Sequence, residues 1–145
     1  MSSKNISSSS PFQEAELVDA LVCFLGNSGY RVQTEVPNMG QTADIVAVRN
    51  RWITFVEAKT KDWRSALKQC EAHEQVADFI CVAIGTRSIS DALIASIVET
   101  RYGLIHYNRR SVSCEWIVQP KVNRKVWKPQ RDRLVKAMRG SNHAA

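Results

Sequence analysis

The stretch Thr42–Gln69 constrains this chain most, because charged side chains stand there at the ends of two apolar runs. Asp44 precedes Ile45, Val46, Ala47 and Val48. Glu57 closes the second run, Trp52, Ile53, Thr54, Phe55 and Val56, and is followed by Ala58 and Lys59. Side chains of a strand alternate between its faces, so Glu57 and Lys59 project together while Ala58 points the other way. If the two runs pair as a hairpin about Arg49, Asn50 and Arg51, Asp44 lands beside Glu57. The expected product is two carboxylates and an ammonium at one edge of a buried sheet.

Leaving such charges unpaired and out of water would cost several kcal/mol, on the order of what a buried ion loses in hydration. A divalent cation removes that penalty. Two carboxylates suit Mg²⁺, which takes one or two protein carboxylates and completes its shell with water and phosphate oxygens; Mn²⁺ is expected to substitute. An ammonium beside such an ion stabilises developing negative charge, or orients or deprotonates a water. The constellation therefore points to hydrolysis of a phosphodiester.

Asp44-Ile45-Val46 followed by Val56-Glu57-Ala58-Lys59 resembles the signature of the PD-(D/E)XK nuclease superfamily, the restriction-endonuclease-like group that includes Mrr-type endonucleases and archaeal Holliday junction resolvases. The resemblance spans roughly residues 12–107, and it departs at Ala43, where the family name has proline. It implies an α/β fold with an αβββαβ core, a central mixed sheet flanked by helices, here with a basic C-terminal extension. It implies a metal-dependent endonuclease acting on DNA with little sequence specificity of its own; RNA is not excluded. By the same resemblance, Asp44 and Glu57 bind the metal with the Ala58 carbonyl as a further ligand, Lys59 assists the attacking water, and Gln69 points back at the site from the following helix. The superfamily often carries a glutamate early in its first helix. Glu14, two turns before Leu21, is the candidate, with Glu16 the alternative and a plain helix-dipole role open to either. The competing reading is a nucleic-acid-binding module on a nuclease fold without turnover.

Charge is distributed unevenly. Of 20 Lys and Arg and 14 Asp and Glu in the chain, residues 119–145 hold eight of the former and only Asp132 of the latter. Such a segment is the footprint of a polyanion partner, nucleic acid before acidic membrane. Lys61, Lys121, Arg124, Lys125, Lys128 and Arg131 are the expected phosphate contacts. With no separate sequence-reading domain in view, recognition rests on DNA shape, ends or junctions, or on a protein partner. Cutting two strands favours a homodimer.

In chain order, residues 1–10 are serine-rich and expected to be disordered. Residues 11–118 form the nuclease-like domain, and 119–145 a basic tail with a short helix near Arg131–Met138. A helix from Pro11 carries Leu17, Leu21, Phe24 and Leu25 on one stripe. Strands follow at Tyr30–Val36 and over the two runs above, then a helix from Trp63 to about Val76 with Asp62 as N-cap. The apolar run Phe79–Ile84 reads as a strand buried on both faces. A helix over Ser90–Tyr102, a strand at Leu104–Tyr107 and an antiparallel edge strand at Cys114–Val118 complete the string. Cys23, Cys70, Cys81 and Cys114 show no CxxC pair, which fits reduced thiols in a cytoplasmic protein. His73, His106 and His143 are scattered and read as structural or surface residues.

Overall fold

The computed structural model describes residues 11–38 and 40–144; the serine-rich residues 1–10 lie outside this range. Its elements follow the order α1 (Pro11–Asn27), β1 (Arg31–Asn38), β2 (Gln41–Arg49), β3 (Trp52–Lys59), α2 (Trp63–Glu71), β4 (Phe79–Ile84), α3 (Asp91–Val98), β5 (Gly103–Asn108), β6 (Ser113–Val118) and α4 (Lys128–Ala144). The six strands form one mixed sheet whose spatial order is the chain order. β1, β2 and β3 are antiparallel, β3, β4 and β5 run parallel, and β6 returns antiparallel on β5. This is an α/β fold with helices on both faces of the sheet.

Each face has its own apolar layer. Leu17, Leu21 and Leu25, the helical stripe of α1, pack on Ile45, Ala47, Val56, Ala58, Cys81 and Ala83. On the opposite face Ala66 and Cys70 of α2, Leu93 and Ile97 of α3, and Leu134 and Met138 of α4 cover Val46, Ile53, Phe55, Ile80, Val82 and Ile84. The even–odd division along β3 and β4 is what a strand buried on both sides requires. Glu57 and Lys59 follow Ile53 and Phe55 in that alternation, so they lie on the face covered by α2.

Three local features shape the sheet. The β2–β3 connection is a two-residue turn in which Asn50 and Arg51 both have positive φ, 53° and 72°, the type I′ geometry that matches strand twist. Asp62 caps α2 by accepting from the Ser65 N–H at 3.2 Å, and Ser90 caps α3 by accepting from Leu93 at 3.1 Å. The third feature breaks the expected alternation of β1. Glu35 has a φ of 52°, and the Glu35–Asp44 pairing is missing from an otherwise continuous β1–β2 register. Val32 therefore packs on the α1 face, whereas Val36 packs on the α2 face. Regular period two would have kept them together.

Two helices differ from their expected extents. α2 ends at Glu71, and tight turns replace the helix up to Val76, with His73 N–H donating to Cys70 O and Val76 N–H to His73 O. α4 spans Lys128–Ala144, longer than the short helix expected. The segment leading to it lies back along the domain: Asn123 donates its side-chain amide to the Glu74 and Ala77 carbonyls, and Trp127 N–H donates to Gln75 O. Arg131 then reaches the carboxylate of Asp78 at 2.8 Å and the carbonyl of Arg51. Asp78 also accepts from Ile53 N–H at 2.8 Å. Arg131 was expected at a phosphate; its guanidinium is instead committed to this largely buried pair, because a buried Asp78 requires a counter-charge.

Candidate active site

The β2–β3 ladder ends at Ile45↔Val56. One position further on, Asp44 and Glu57 face each other, and their carboxylates occupy the backbone donors that the ended ladder leaves open. Ala58 N–H donates to Asp44 Oδ2 at 2.8 Å, and Asp44 N–H approaches Glu57 Oε2 at 3.4 Å. In a strand the N–H and C=O of one residue project to the same edge, so the Ala58 carbonyl enters the same gap. Asp44 is half-buried, Glu57 is 2% exposed and Lys59 is half-buried. Burial and the neighbouring Glu57 carboxylate push the Asp44 carboxyl up to about 6, against the opposing pull of the Ala58 N–H and the Lys59 ammonium.

Glu57 has a partner in His73, which the sequence reads as a structural or surface residue. His73 Nε2 lies 2.8 Å from Glu57 Oε2, and both side chains are buried. On the far side of the ring, Asn38 Nδ2 lies 3.0 Å from His73 Nδ1 and 3.5 Å from the Ala72 carbonyl. An amide nitrogen only donates, so Nδ1 accepts and the proton of a neutral ring sits on Nε2, aimed at Glu57. The Glu35 kink makes this chain of contacts, since it turns the end of β1 toward α2 and brings Asn38 to the histidine. A signal for His73 was present: two residues past the end of α2, it keeps the i, i+4, i+7 spacing from Ala66 and Cys70 on that helix's buried side. A polar residue on an apolar stripe downstream of the E-x-K triplet marks a partner for something buried.

The other expected site residues divide. Gln69 on α2 keeps its Oε1 buried without a hydrogen-bond partner among the described residues, an unmatched acceptor of the kind that native structures rarely retain without a reason. Glu16 is drawn away from the pair, accepting from Tyr107 Oη at 2.9 Å and pairing with Arg109 at 3.2 Å; Tyr107 and then Arg109 lower its pKa. That excludes the alternative glutamate as a support of the acidic pair. Glu14 is half-buried on the same helix, and among the described residues no contact joins it to Asp44 or Glu57. Lys61 is exposed two residues beyond Lys59, and Lys121, Arg124 and Lys128 are also exposed. Lys125 pairs with Glu74 at 3.2 Å. The described cysteines are all free thiols, with Cys70 and Cys81 buried.

Two carboxylate oxygens, Asp44 Oδ1 and Glu57 Oε1, carry none of the contacts above. With the Ala58 carbonyl they form a hard-oxygen set, which fits a small divalent cation with water completing the shell. Among the described residues no group of three or more His, Cys, Asp and Glu side chains stands where it could hold a metal ion. The raised Asp44 pKa gives a direct test in metal-free protein. Stability contributed by protonated Asp44 is fully present below its ordinary value of 3.8 and is lost as pH rises through about 6. Melting temperatures in EDTA should fall across that window, and Asp44→Asn should flatten the fall; equal slopes in both proteins would contradict the assignment.

No protein-family model matches the chain, and no curated protein sequence does. Solved structures do resemble it. A protein of unknown function from Silicibacter pomeroyi is 16% identical with a TM-score of 0.67, over 90% of this chain and 88% of that one. An XisH family protein from Nostoc punctiforme PCC 73102 is 15% identical with a TM-score of 0.55, over 72% and 99%. An fdxN element excision controlling factor protein from Anabaena variabilis is 16% identical with a TM-score of 0.51, over 71% and 98%. At these identities the likeness is one of fold. Among the described residues no helix is long and apolar enough to cross a membrane.

Proposed function

We propose that the chain is a metal-dependent nuclease of the PD-(D/E)XK type that hydrolyses DNA phosphodiester bonds. The observation that carries this reading is the meeting of Asp44 and Glu57 where the β2–β3 ladder ends, with Ala58 and Lys59 next along the strand. Asp44, Glu57 and the Ala58 carbonyl would hold Mg²⁺ or Mn²⁺, which when bound supplies a Lewis acid for a phosphate oxygen and acidifies a water. The chain's own residues do the rest. His73 fixes the rotamer of Glu57 through its Nε2–H, as an outer partner does for a ligating carboxylate. The Lys59 ammonium, on the Glu57 face, stabilises the charge that grows on the phosphate as the water oxygen forms a new P–O bond and the ester P–O bond breaks. Gln69, which the resemblance turns toward the site, offers an acceptor in its Oε1, for which the described residues supply no donor. The water's proton leaves to solvent and the departing alkoxide takes one up. One chain offers one such site, so cleavage of a duplex on both strands calls for two copies.

Incubating the purified protein with supercoiled plasmid, linear duplex, single-stranded and branched DNA, and RNA, each with Mg²⁺, Mn²⁺ or EDTA, tests this. The expected result is nicked or cut DNA in the metal-containing reactions and intact DNA in EDTA. Binding without cleavage under every condition would favour the module without turnover.

A further inference from the structure

A groove of about 740 Å³ lies at the turn end of the β2–β3 hairpin, between that end of the sheet and α4. Arg31, Arg49 and Arg51 line it from the sheet; Arg131, Lys136 and Arg139 line it from α4, and Asp132 is the one acidic residue among the lining. Two of these cations have structural duties. Arg49 donates to the Ser28 carbonyl at 2.9 Å with its guanidinium 4.3 Å from the Tyr30 ring centroid, and Arg131 holds Asp78. The remaining four, Arg31, Arg51, Lys136 and Arg139, are exposed, and among the described residues no carboxylate pairs with them. Four converging cations without counter-charges repel one another, and they favour the folded state only where a polyanion neutralises them.

Backbone geometry adds an independent observation. Arg51 occupies the second central position of the type I′ turn with a φ of 72°, where glycine is the strongly preferred residue. A side chain in the left-handed region costs about 1 kcal/mol or somewhat more. The hairpin thus holds an arginine at its tip in a conformation that opposes it, pointing to a use for the guanidinium outside the fold.

We propose that this groove binds the phosphate backbone of a nucleic acid, at a place separate from the acidic pair. Choosing nucleic acid as the polyanion rests on the nuclease reading; the charge argument does not. Arginine predominates in the lining, and its planar fork matches phosphate oxygens. The surface is concave, and none of the large exposed apolar side chains of the fold, Trp52, Val98, Val112, Val122 and Trp127, lines it, whereas a membrane-seeking face combines basic residues with apolar anchors. Asp44 and Arg49 are five residues apart along β2, about 17 Å at the usual rise of a strand. That offset matches about five base pairs of duplex. Grip and chemistry are therefore separable by mutation.

Anisotropy of a short labelled duplex, titrated in EDTA over a series of salt concentrations, tests the groove. Lys136→Glu combined with Arg139→Glu should weaken binding on the order of tenfold or more and flatten the logarithmic salt slope by about two. Arg51→Gly should flatten it by about one while raising the melting temperature, an opposition that a purely structural arginine would not produce. Unchanged affinity and slope in the double variant would overturn the proposal, as would binding to phosphatidylserine vesicles without binding to the duplex. A protein that grips duplex through the groove yet never cuts it refutes the hydrolytic reading and leaves the groove standing.

Discussion

Replacing Asp44, Glu57 or Lys59 by alanine should each lower DNA cleavage by on the order of 10²–10³-fold or more, the scale associated with losing one preorganised charge-stabilising group. Calorimetry should separate the three: Mn²⁺ binding is lost in Asp44→Ala and Glu57→Ala and survives in Lys59→Ala. On charge alone, removing either carboxylate should relieve the metal-free fold. The hydrogen bonds alter that expectation. Asp44 Oδ2 accepts from Ala58 N–H and Glu57 Oε2 from His73, so alanine at either position strands a donor at a penalty of about 1–3 kcal/mol. Asp44→Asn and Glu57→Gln keep an acceptor and are the cleaner probes of chemistry. Unaltered Mn²⁺ binding in Asp44→Ala would refute the site.

His73→Ala should destabilise the protein by on the order of 3 kcal/mol, because it leaves a buried carboxylate without its donor. Glu57 is 2% exposed, so water cannot easily take over. The Phe55 ring, 4.7 Å from the imidazole between centroids, also loses a packing partner. The displaced Glu57 should bind Mn²⁺ about 10–100-fold more weakly, as metal sites do when an outer-shell partner is removed. His73→Gln retains a donor and should recover part of both losses. Denaturant unfolding and calorimetry report the two quantities, and a stability change within about 0.5 kcal/mol, the range of an ordinary surface substitution, would mean that the contact has no energetic weight.

The sequence made much of the architecture legible because its signals were local. Continuous apolar runs delimited the strands, the α1 leucine stripe identified a buried helix, and the break at Arg49, Asn50 and Arg51 set the hairpin that places Asp44 against Glu57. What escaped was non-local or lacked a residue signature. Nothing about glutamate announces a left-handed residue at Glu35, yet that one φ angle sends Val36 and Asn38 to the opposite face. Extending the α2 periodicity to Val76 overlooked the turns that seat His73. Arg131 read as a phosphate contact because charge counts do not reveal partners. Asp78, 53 positions earlier, claims Arg131, and Leu134 and Met138 belong to the core. Deleting the basic C-terminal segment would therefore open the α2-side core, which makes charge reversal at exposed positions the sound way to probe binding.

A sheet whose spatial order repeats its chain order can assemble by zipping. Every strand pairs with its sequence neighbour, through a short turn or a single helical crossover, so little loop entropy is spent before each new contact forms. α4 departs from this locality, tied back to Asp78 and to Arg51 across 53 and 80 positions, as does α1, whose Glu16 accepts from Tyr107 across 91. The docking of α4 belongs after the main folding barrier. Weakening the Arg131 latch should then speed unfolding while leaving the refolding rate nearly unchanged, which makes the last helix the kinetic clasp of the domain.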